Sequence, residues 1–151
     1  GSGTWSGGPW PGGTWTIGSW RGGCWVSGTW LDGLWNGGEW HDGEWRYGNW
    51  NGGEWLDGEW HHGVWHNGTW NGGTWRDGKW YGGTWKEGDW HNGVWEGGVW
   101  EGGTWHGGVW VKGKWNGGTW KGGKIRKADG ECVYSAVNPN EFYALQKKIS
   151  G

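Results

Sequence analysis

The sequence has few of the residues from which most protein cores are built. Its 151 residues include no methionine, one phenylalanine and two cysteines, Cys24 and Cys132. Two unrelated cysteines are typical of free thiols and not of a disulfide framework. No run reaches the roughly 18 apolar residues that a membrane-spanning helix needs, and the N-terminal residues lack the pattern of a signal peptide. We therefore expect no disulfide and no membrane partner.

The chain also lacks the motifs from which catalytic sites are built. It has no phosphate-binding loop, no nucleophile paired with a base and no pair of carboxylates suited to burial. Three of the six histidines, His61, His62 and His66, are clustered. A metal site needs ligands that converge, whereas these histidines occupy outward places that elsewhere hold Asn, Arg or Lys. We predict no enzyme activity, no catalytic or metal-binding residue, no cofactor and no small-molecule substrate.

Tryptophan and glycine, by contrast, are present in great excess and share one period. Tryptophan occupies every fifth residue from Trp5 to Trp120, and a glycine stands two residues before each, from Gly3 to Gly118. In a unit of five places, glycine therefore holds the third and tryptophan the fifth. Because side chains alternate along a strand, Gly-x-Trp predicts a three-residue strand with Gly and Trp on one face. An α-helix is excluded, since steps of five residues would spread the indoles around its whole surface.

The other places contain residues that suit corners and strand surfaces. The second place is Gly in 11 of the 24 units and Asp or Asn in six more, all turn formers. The fourth place is Thr in eight units and Val in four, which are β-branched. The pattern predicts an all-β, single-stranded β-solenoid with two-residue corners. Trp and Gly would point inward, glycine because the indole needs room, and equivalent indoles would stack roughly 4.8 Å apart.

The sequence leaves either three or four units in each coil. If the 24 units are assigned in turn to three sides, second-place glycine occurs in six, four and one of the eight units of each side. If they are assigned to four sides, it occurs in three, three, two and three of the six units of each side. The unit is similar to that of the pentapeptide-repeat family, in which a small residue, any residue and an inward Leu or Phe precede two corner residues. That resemblance covers residues 1–125 and implies a right-handed quadrilateral solenoid, although here the small residue is always Gly and the large one Trp. Fifteen residues per coil would align His91 with His106, and twenty would align His41 with His61.

An antiparallel ribbon is the alternative fold. Asn67-Gly68 and Asp77-Gly78 are dipeptides that favour two-residue hairpin turns with positive φ at glycine. The stretch from Trp75 to Trp80 resembles a tryptophan-zipper hairpin tip, and Gly-x-Trp-x-Asn/Asp-Gly resembles the centre of a MORN repeat, whose full unit is longer. Such a ribbon would leave every indole on one uncovered face, which favours the solenoid.

Charge is segregated along the repeat, although the net charge is only −2. Seven acids lie between Asp32 and Glu59 against the single base Arg46, whereas Lys112 to Lys127 contains six bases and no acid. The charges either keep the surface soluble or steer rods head to tail. Some pentapeptide-repeat proteins mimic DNA, but this chain lacks the continuous acidic face which that role requires. Single-stranded nucleic acid needs a basic groove beside its stacked aromatics, so we expect no nucleic-acid partner.

The period ends after Lys124, and residues 126–151 are predicted to form a C-terminal strand-helix cap. A strand is expected over residues 131–137, followed by a helix with Asn138 as N-cap and Pro139 at its first position. Three apolar residues at helical spacing are expected to cover the last indoles: Phe142, Leu145 and Ile149. The tail would either cap the last coil or dock onto a larger assembly.

The Trp-Gly tract and its non-repetitive tail resemble regions of structural proteins in large tailed bacteriophages. That resemblance implies a non-enzymatic rod or spacer in a virion. Two alternatives are a binding module that presents outward indoles to carbohydrate or nucleic acid, and a designed or consensus repeat scaffold. The expected partners are other proteins, or further copies of the chain joined through the solenoid ends.

Overall fold

The chain winds into a β-solenoid with three sides. The computed structural model describes residues 2–5 and 8–150. The predicted segments 1–125 and 126–151 also include four residues that lie outside the described residues: Gly1, Ser6, Gly7 and Gly151.

The strands are short, and most contain only the fourth and fifth places of a unit. In chain order they are β1 (Ser2–Trp5), β2 (Pro9–Trp10), β3 (Thr14–Trp15), β4 (Ile17–Trp20), β5 (Cys24–Trp25), β6 (Thr29–Trp30), β7 (Leu34–Trp35), β8 (Glu39–Trp40), β9 (Glu44–Trp45), β10 (Asn49–Trp50), β11 (Glu54–Trp55), β12 (Glu59–Trp60), β13 (Val64–Trp65), β14 (Thr69–Trp70), β15 (Thr74–Trp75), β16 (Lys79–Trp80), β17 (Thr84–Trp85), β18 (Asp89–Trp90), β19 (Val94–Trp95), β20 (Val99–Trp100), β21 (Thr104–Trp105), β22 (Val109–Trp110), β23 (Lys114–Trp115), β24 (Thr119–Trp120), β25 (Gly123–Arg126) and β26 (Cys132–Ser135), followed by the helix α1 (Pro139–Ser150).

Every third strand belongs to the same sheet, and each sheet forms one side of the solenoid. Sheet A runs from β1 through β25 and ends with β26, sheet B runs from β2 to β23, and sheet C from β3 to β24. Pairing within the repeat is parallel and joins residues fifteen apart, as Trp50 pairs with Trp65. A coil therefore contains three units, so the four units implied by the pentapeptide-repeat resemblance and the antiparallel ribbon are both wrong.

A regular hydrogen-bond ladder joins each coil to the one before it. The fourth-place N–H donates to the third-place glycine carbonyl of the preceding coil, as Thr74 does to Gly58 at 2.9 Å. The residue after each tryptophan donates to the tryptophan carbonyl of the preceding coil, as Arg76 does to Trp60 at 2.8 Å. All these donors therefore point toward the N-terminal end of the solenoid.

The core consists of the indoles alone over most of the solenoid. Each tryptophan from Trp20 to Trp110 has no exposed side-chain surface. Trp60 stacks on Trp75 of the next coil with ring centroids 4.8 Å apart and planes within 6°. Within one turn of the chain, Trp60 meets Trp65 edge to face at 5.8 Å. Three parallel stacks of indoles thus run the length of the repeat and contact one another edge to face, as aromatic pairs prefer.

Third-place glycine lies at the corner of most units, not in the strand, which corrects the predicted Gly-x-Trp strand. Gly73 has φ +104°, a conformation that side chains rarely adopt. A Cβ on Gly73 would meet the backbone of Gly58, one coil earlier, with the Gly58 nitrogen only 2.9 Å away. Glycine is required by this φ and by the close approach of two backbones. Room for the indole, the predicted reason, is at most secondary, since an indole nitrogen is the third-nearest atom at sites such as Gly58.

The second place selects between two corner conformations. From Gly13 to Gly118, φ of the third-place glycine is 94–108° after a glycine and 115–134° after any other residue. In the second class an acidic or amide side chain can accept a hydrogen bond from the glycine N–H, as Asp57 does from Gly58 at 2.8 Å. Asp and Asn are therefore favoured at the second place because they satisfy a corner donor.

The tail folds back onto the last coil. β26 pairs antiparallel with β25. Asn138 caps α1, since its side chain accepts from the Glu141 N–H at 3.0 Å, and Pro139 is the first helical residue, as predicted. Phe142 is buried, whereas Leu145 is 49% and Ile149 81% exposed, so only the first residue of the predicted apolar stripe covers the core.

Candidate functional site

Because the core consists of tryptophan alone, functional chemistry on the repeat has to come from the outward places. On each sheet, the fourth-place residue and the residue after the tryptophan lie on the outer face, two residues apart along the strand. Equivalent positions recur in successive coils, so each sheet carries two columns of side chains with one residue per coil. Sheet C has the most charged pair of columns.

The outer face of sheet C combines a basic column with an acidic one. The basic column occupies six successive coils: Arg46, His61, Arg76, His91, His106 and Lys121. The acidic column consists of Glu44, Glu59 and Asp89 at the neighbouring fourth places. Arg46 pairs with Glu44 at 2.8 Å in the same strand segment, and Arg76 reaches back to Glu59 of the preceding coil at 3.4 Å. The two columns are thus cross-linked both within and between coils.

His61 lies in the middle of this arrangement. Its Nε2 is 3.5 Å from Glu59 and 3.8 Å from Glu44. Burial lowers the pKa of His61 below its ordinary value, and the positive charge of Arg46 lowers it further, against the opposing effect of the two glutamates. The lowered pKa favours the uncharged form of this imidazole, which lies between the two arginines of the adjacent coils.

A second histidine pair lies farther along the basic column. The rings of His91 and His106 stack with centroids 4.4 Å apart, so the alignment expected for a coil of fifteen residues is confirmed. His106 also contacts Asp89 of the preceding coil at 3.2 Å. The pKa of His91 is lowered, first by burial and next by the charge that His106 can acquire. Protonation of this face would place like charges on successive coils.

The histidine cluster of the sequence does not form one site. His61 lies on the face of sheet C, His62 is at a corner, where it stacks on Tyr47 at 5.2 Å, and His66 stacks on Tyr81 at 5.6 Å. Among residues 2–5 and 8–150, no three His, Cys, Asp or Glu side chains come together in a group that could hold a metal ion. The arrangement offers surface charge pairs and stacked rings, not a ligand set.

The cysteines lie far apart in the fold. Cys24 is on the second coil at the outer face of sheet B, and Cys132 is exposed on β26. Burial, followed by the nearby charge of Glu39, raises the pKa of the Cys24 thiol. A raised pKa disfavours the reactive thiolate form of Cys24.

An open depression on the surface flanks the tail. Its volume is about 370 Å³, and its lining includes Lys127, Asp129 and Tyr143. Lys127 is already paired with Glu131 at 3.2 Å and with Asp129 at 3.5 Å, and the hydroxyl of Tyr143 donates to the Arg126 carbonyl at 2.7 Å. Lys127 is therefore engaged within the turn between β25 and β26, and Tyr143 joins α1 to the end of β25.

The two ends of sheet B carry features that the sequence patterns did not reveal. In the first coil, both donor positions of this sheet are proline, at Pro9 and Pro11. At the other end, the side-chain amide of Asn140 donates to the Trp115 carbonyl at 2.6 Å. Only the register of fifteen residues makes these positions equivalent, and the number of units per coil was needed to see it.

Comparison with protein-family models, with curated proteins and with solved structures finds no match to this chain. The pentapeptide-repeat and phage resemblances thus gain no support from these comparisons. No helix within the described residues has the length and apolarity to cross a membrane.

Proposed function

We propose that this protein is a rigid rod or spacer that holds its partners a fixed distance apart. The observation that carries the proposal is the set of three unbroken indole stacks, which have no exposed surface from Trp20 to Trp110. The sheets rise about 4.8 Å per coil, so eight coils span roughly 38 Å. A repeat of this kind gains stability from each neighbouring interface and resists bending at any one coil.

The outward chemistry fits the same role. The charged columns on sheet C are paired with each other, as Arg46 is with Glu44, and are not directed at a common point. A solenoid of repeats is typical of structural and scaffolding proteins, and we propose no enzyme activity. The resemblance to phage structural proteins suggests a virion as the setting, with other proteins at the rod ends as partners.

The alternative of an outward aromatic ladder has less support. Carbohydrate or single-stranded nucleic acid would have to stack on exposed rings, and the indoles of the repeat are internal. A consensus or designed scaffold is compatible with the rod, because the glycine and tryptophan places each follow from contacts between identical coils.

The rod can be tested with the two thiols of the chain. Spin labels on Cys24 and Cys132 are separated by between seven and eight coil steps, roughly 37 Å along the axis at about 4.8 Å per coil. Pulsed electron–electron double resonance should give one narrow distribution of distances between the two labels. Deletion of one complete coil, residues 61–75, should shorten the mean distance by about 4.8 Å and leave its width unchanged.

A conservative exchange on a face, such as Asn71→Ser, serves as the control and should leave the distance unchanged. A broad distribution in the intact protein, or a coil deletion that broadens the distribution without shortening it, would contradict a rigid spacer.

A further inference from the structure

In each sheet, two N–H groups per coil point toward the N-terminal end of the solenoid. Each coil donates from its fourth place and from the residue after its tryptophan, toward the N-terminal end. On sheet B, the second coil donates in this way from Cys24 to Gly8 at 3.2 Å and from Val26 to Trp10 at 2.8 Å. The corresponding donors of the first coil would face whatever lies beyond the N-terminal edge of the sheet.

Those two places are occupied by Pro9 and Pro11. Two of the three prolines in the chain therefore lie at the donor positions of one sheet in one coil. Proline has no N–H, and its ring carbon occupies the direction in which the hydrogen would point. Elsewhere in the ladder a proline would remove a hydrogen bond to the preceding coil. In β2, the first strand of sheet B, it removes only a hydrogen bond to a strand that would add to this edge. Edge strands are where proline is tolerated and where it discourages pairing with another chain.

At the opposite edge of sheet B, a side chain of α1 takes the place of a backbone donor. In the ladder, the carbonyl of a tryptophan on this sheet accepts from a backbone N–H of the next coil, as Trp100 does from Asn116 at 2.7 Å. Trp115 belongs to the last strand of the sheet, β23, and its carbonyl accepts instead from the Nδ2 of Asn140 at 2.6 Å. One side chain of α1 thus replaces the backbone donor that a further coil would supply.

We propose that sheet B is closed at both edges against strand pairing with a second copy of the chain, by Pro9 and Pro11 at one edge and by Asn140 at the other. The antiparallel pairing of β26 with β25 shows that a solenoid edge of this protein accepts an added strand. The same backbone at the first coil, with its two N–H groups restored, could exchange hydrogen bonds with an identical edge related by a two-fold axis. The closure does not depend on the proposed spacer function.

The test restores the two donors in the full-length protein. Pro9→Thr and Pro11→Asn introduce residue types that hold equivalent places in later coils, such as Thr69 and Asn71. Sedimentation velocity over a range of concentrations should show self-association on the order of tenfold tighter, or more, than in the unaltered protein. Thr16→Val is the control, because it changes a side chain at the N-terminal edge of the neighbouring sheet C without adding an N–H, and should leave self-association unchanged. An unaltered degree of association in the double variant would overturn the proposal.

A second measurement covers the case in which the altered first coil frays. A copy of residues 46–60, one complete coil in register, is placed ahead of Gly1 in both the unaltered protein and the double variant. In the unaltered protein Pro9 and Pro11 cannot donate to the added coil, so the coil is bonded through sheets A and C alone and acrylamide should quench its indoles more strongly than in the double variant. In the double variant the two restored N–H groups bond the added coil to sheet B, and its indoles should be protected. Equal quenching in the two proteins would show that the prolines do not close the edge.

Discussion

Gly73 lies so close to Gly58 of the preceding coil that a Cβ on Gly73 would be 2.9 Å from the Gly58 nitrogen and nearer still to its carbonyl oxygen. The neighbour is backbone, which cannot move aside without breaking the ladder. Gly72, one residue earlier, meets nothing closer than the Leu56 carbonyl at 3.5 Å, an ordinary contact. Glycine is therefore required at residue 73 by the neighbouring backbone, whereas residue 72 has room for a larger side chain.

Gly73→Ala should cost roughly 2–4 kcal/mol of unfolding free energy, from positive φ combined with overpacking. Gly72→Ala should cost about 1 kcal/mol or less, because the corner has room for a methyl group. Chemical denaturation of both variants measures the difference. Equal losses of unfolding free energy in the two variants would mean that the close approach of Gly73 to Gly58 does not restrict the third place to glycine.

Asp57→Ala should destabilise the protein by about 0.5–1.5 kcal/mol, since it leaves the Gly58 N–H without its acceptor. Asp57→Asn retains a side-chain oxygen at the same place and should lose little. Asp57→Gly should fall between them, because the corner can then adopt the smaller φ seen after second-place glycine. Denaturation midpoints rank the three variants, and a ranking in which Asn is the worst would exclude the proposed role of the side-chain oxygen.

Stability should fall when the pH is lowered through the ordinary histidine pKa of 6.5, because the pKa of His61 is lowered in the folded protein. Between the two pKa values the unfolded chain binds the proton and the folded chain does not, so acid favours unfolding. His61→Asn should reduce this loss between about pH 7.5 and about pH 5, as thermal unfolding at both values would measure. Burial is the main cause, so most of the effect should persist in about 0.5 M salt, where exposed charges are screened. Its disappearance there would assign the effect to Arg46 instead.

Phe142→Ala should loosen α1, with a cost of about 3–5 kcal/mol to the contact between tail and solenoid. Ile149→Ala, on the same helix but 81% exposed, should cost close to nothing. Amide exchange of α1 reports this local opening without requiring the repeat to unfold. Similar exchange in the two variants would show that Phe142 does not anchor the helix.

The fold could be predicted from the sequence because one period determines it. Each unit repeats the same core residue, and only a closed coil buries every indole. The number of sides was left open between three and four, although second-place glycine is concentrated in the corners that enter sheet B, six of the eight. Pairing of Trp50 with Trp65 confirms three units. The family resemblance pointed to four because it rests on the unit, which does not itself fix how many units close a coil.

Other features could not be predicted because they depend on contacts between coils. Third-place glycine is equally compatible with an inward face or with positive φ until the backbone of the preceding coil is known. His61, His62 and His66 are close in sequence, but corners send them to different faces. Leu145 and Ile149 follow helical spacing, yet both are exposed and Phe142 alone of the three is buried.

The core of this solenoid is the same on all three sides, whereas its surface is not. An insertion of fifteen residues would lengthen the molecule and keep every outward column in line. An insertion of five would also place each new indole correctly, yet every residue beyond it would move to the next side. The acidic column of sheet C would then continue into residues from a different sheet, while the packing of the indoles in the core would stay the same. Length and surface pattern can thus vary independently, and a one-unit duplication would redistribute the exterior without disturbing the packing beneath it.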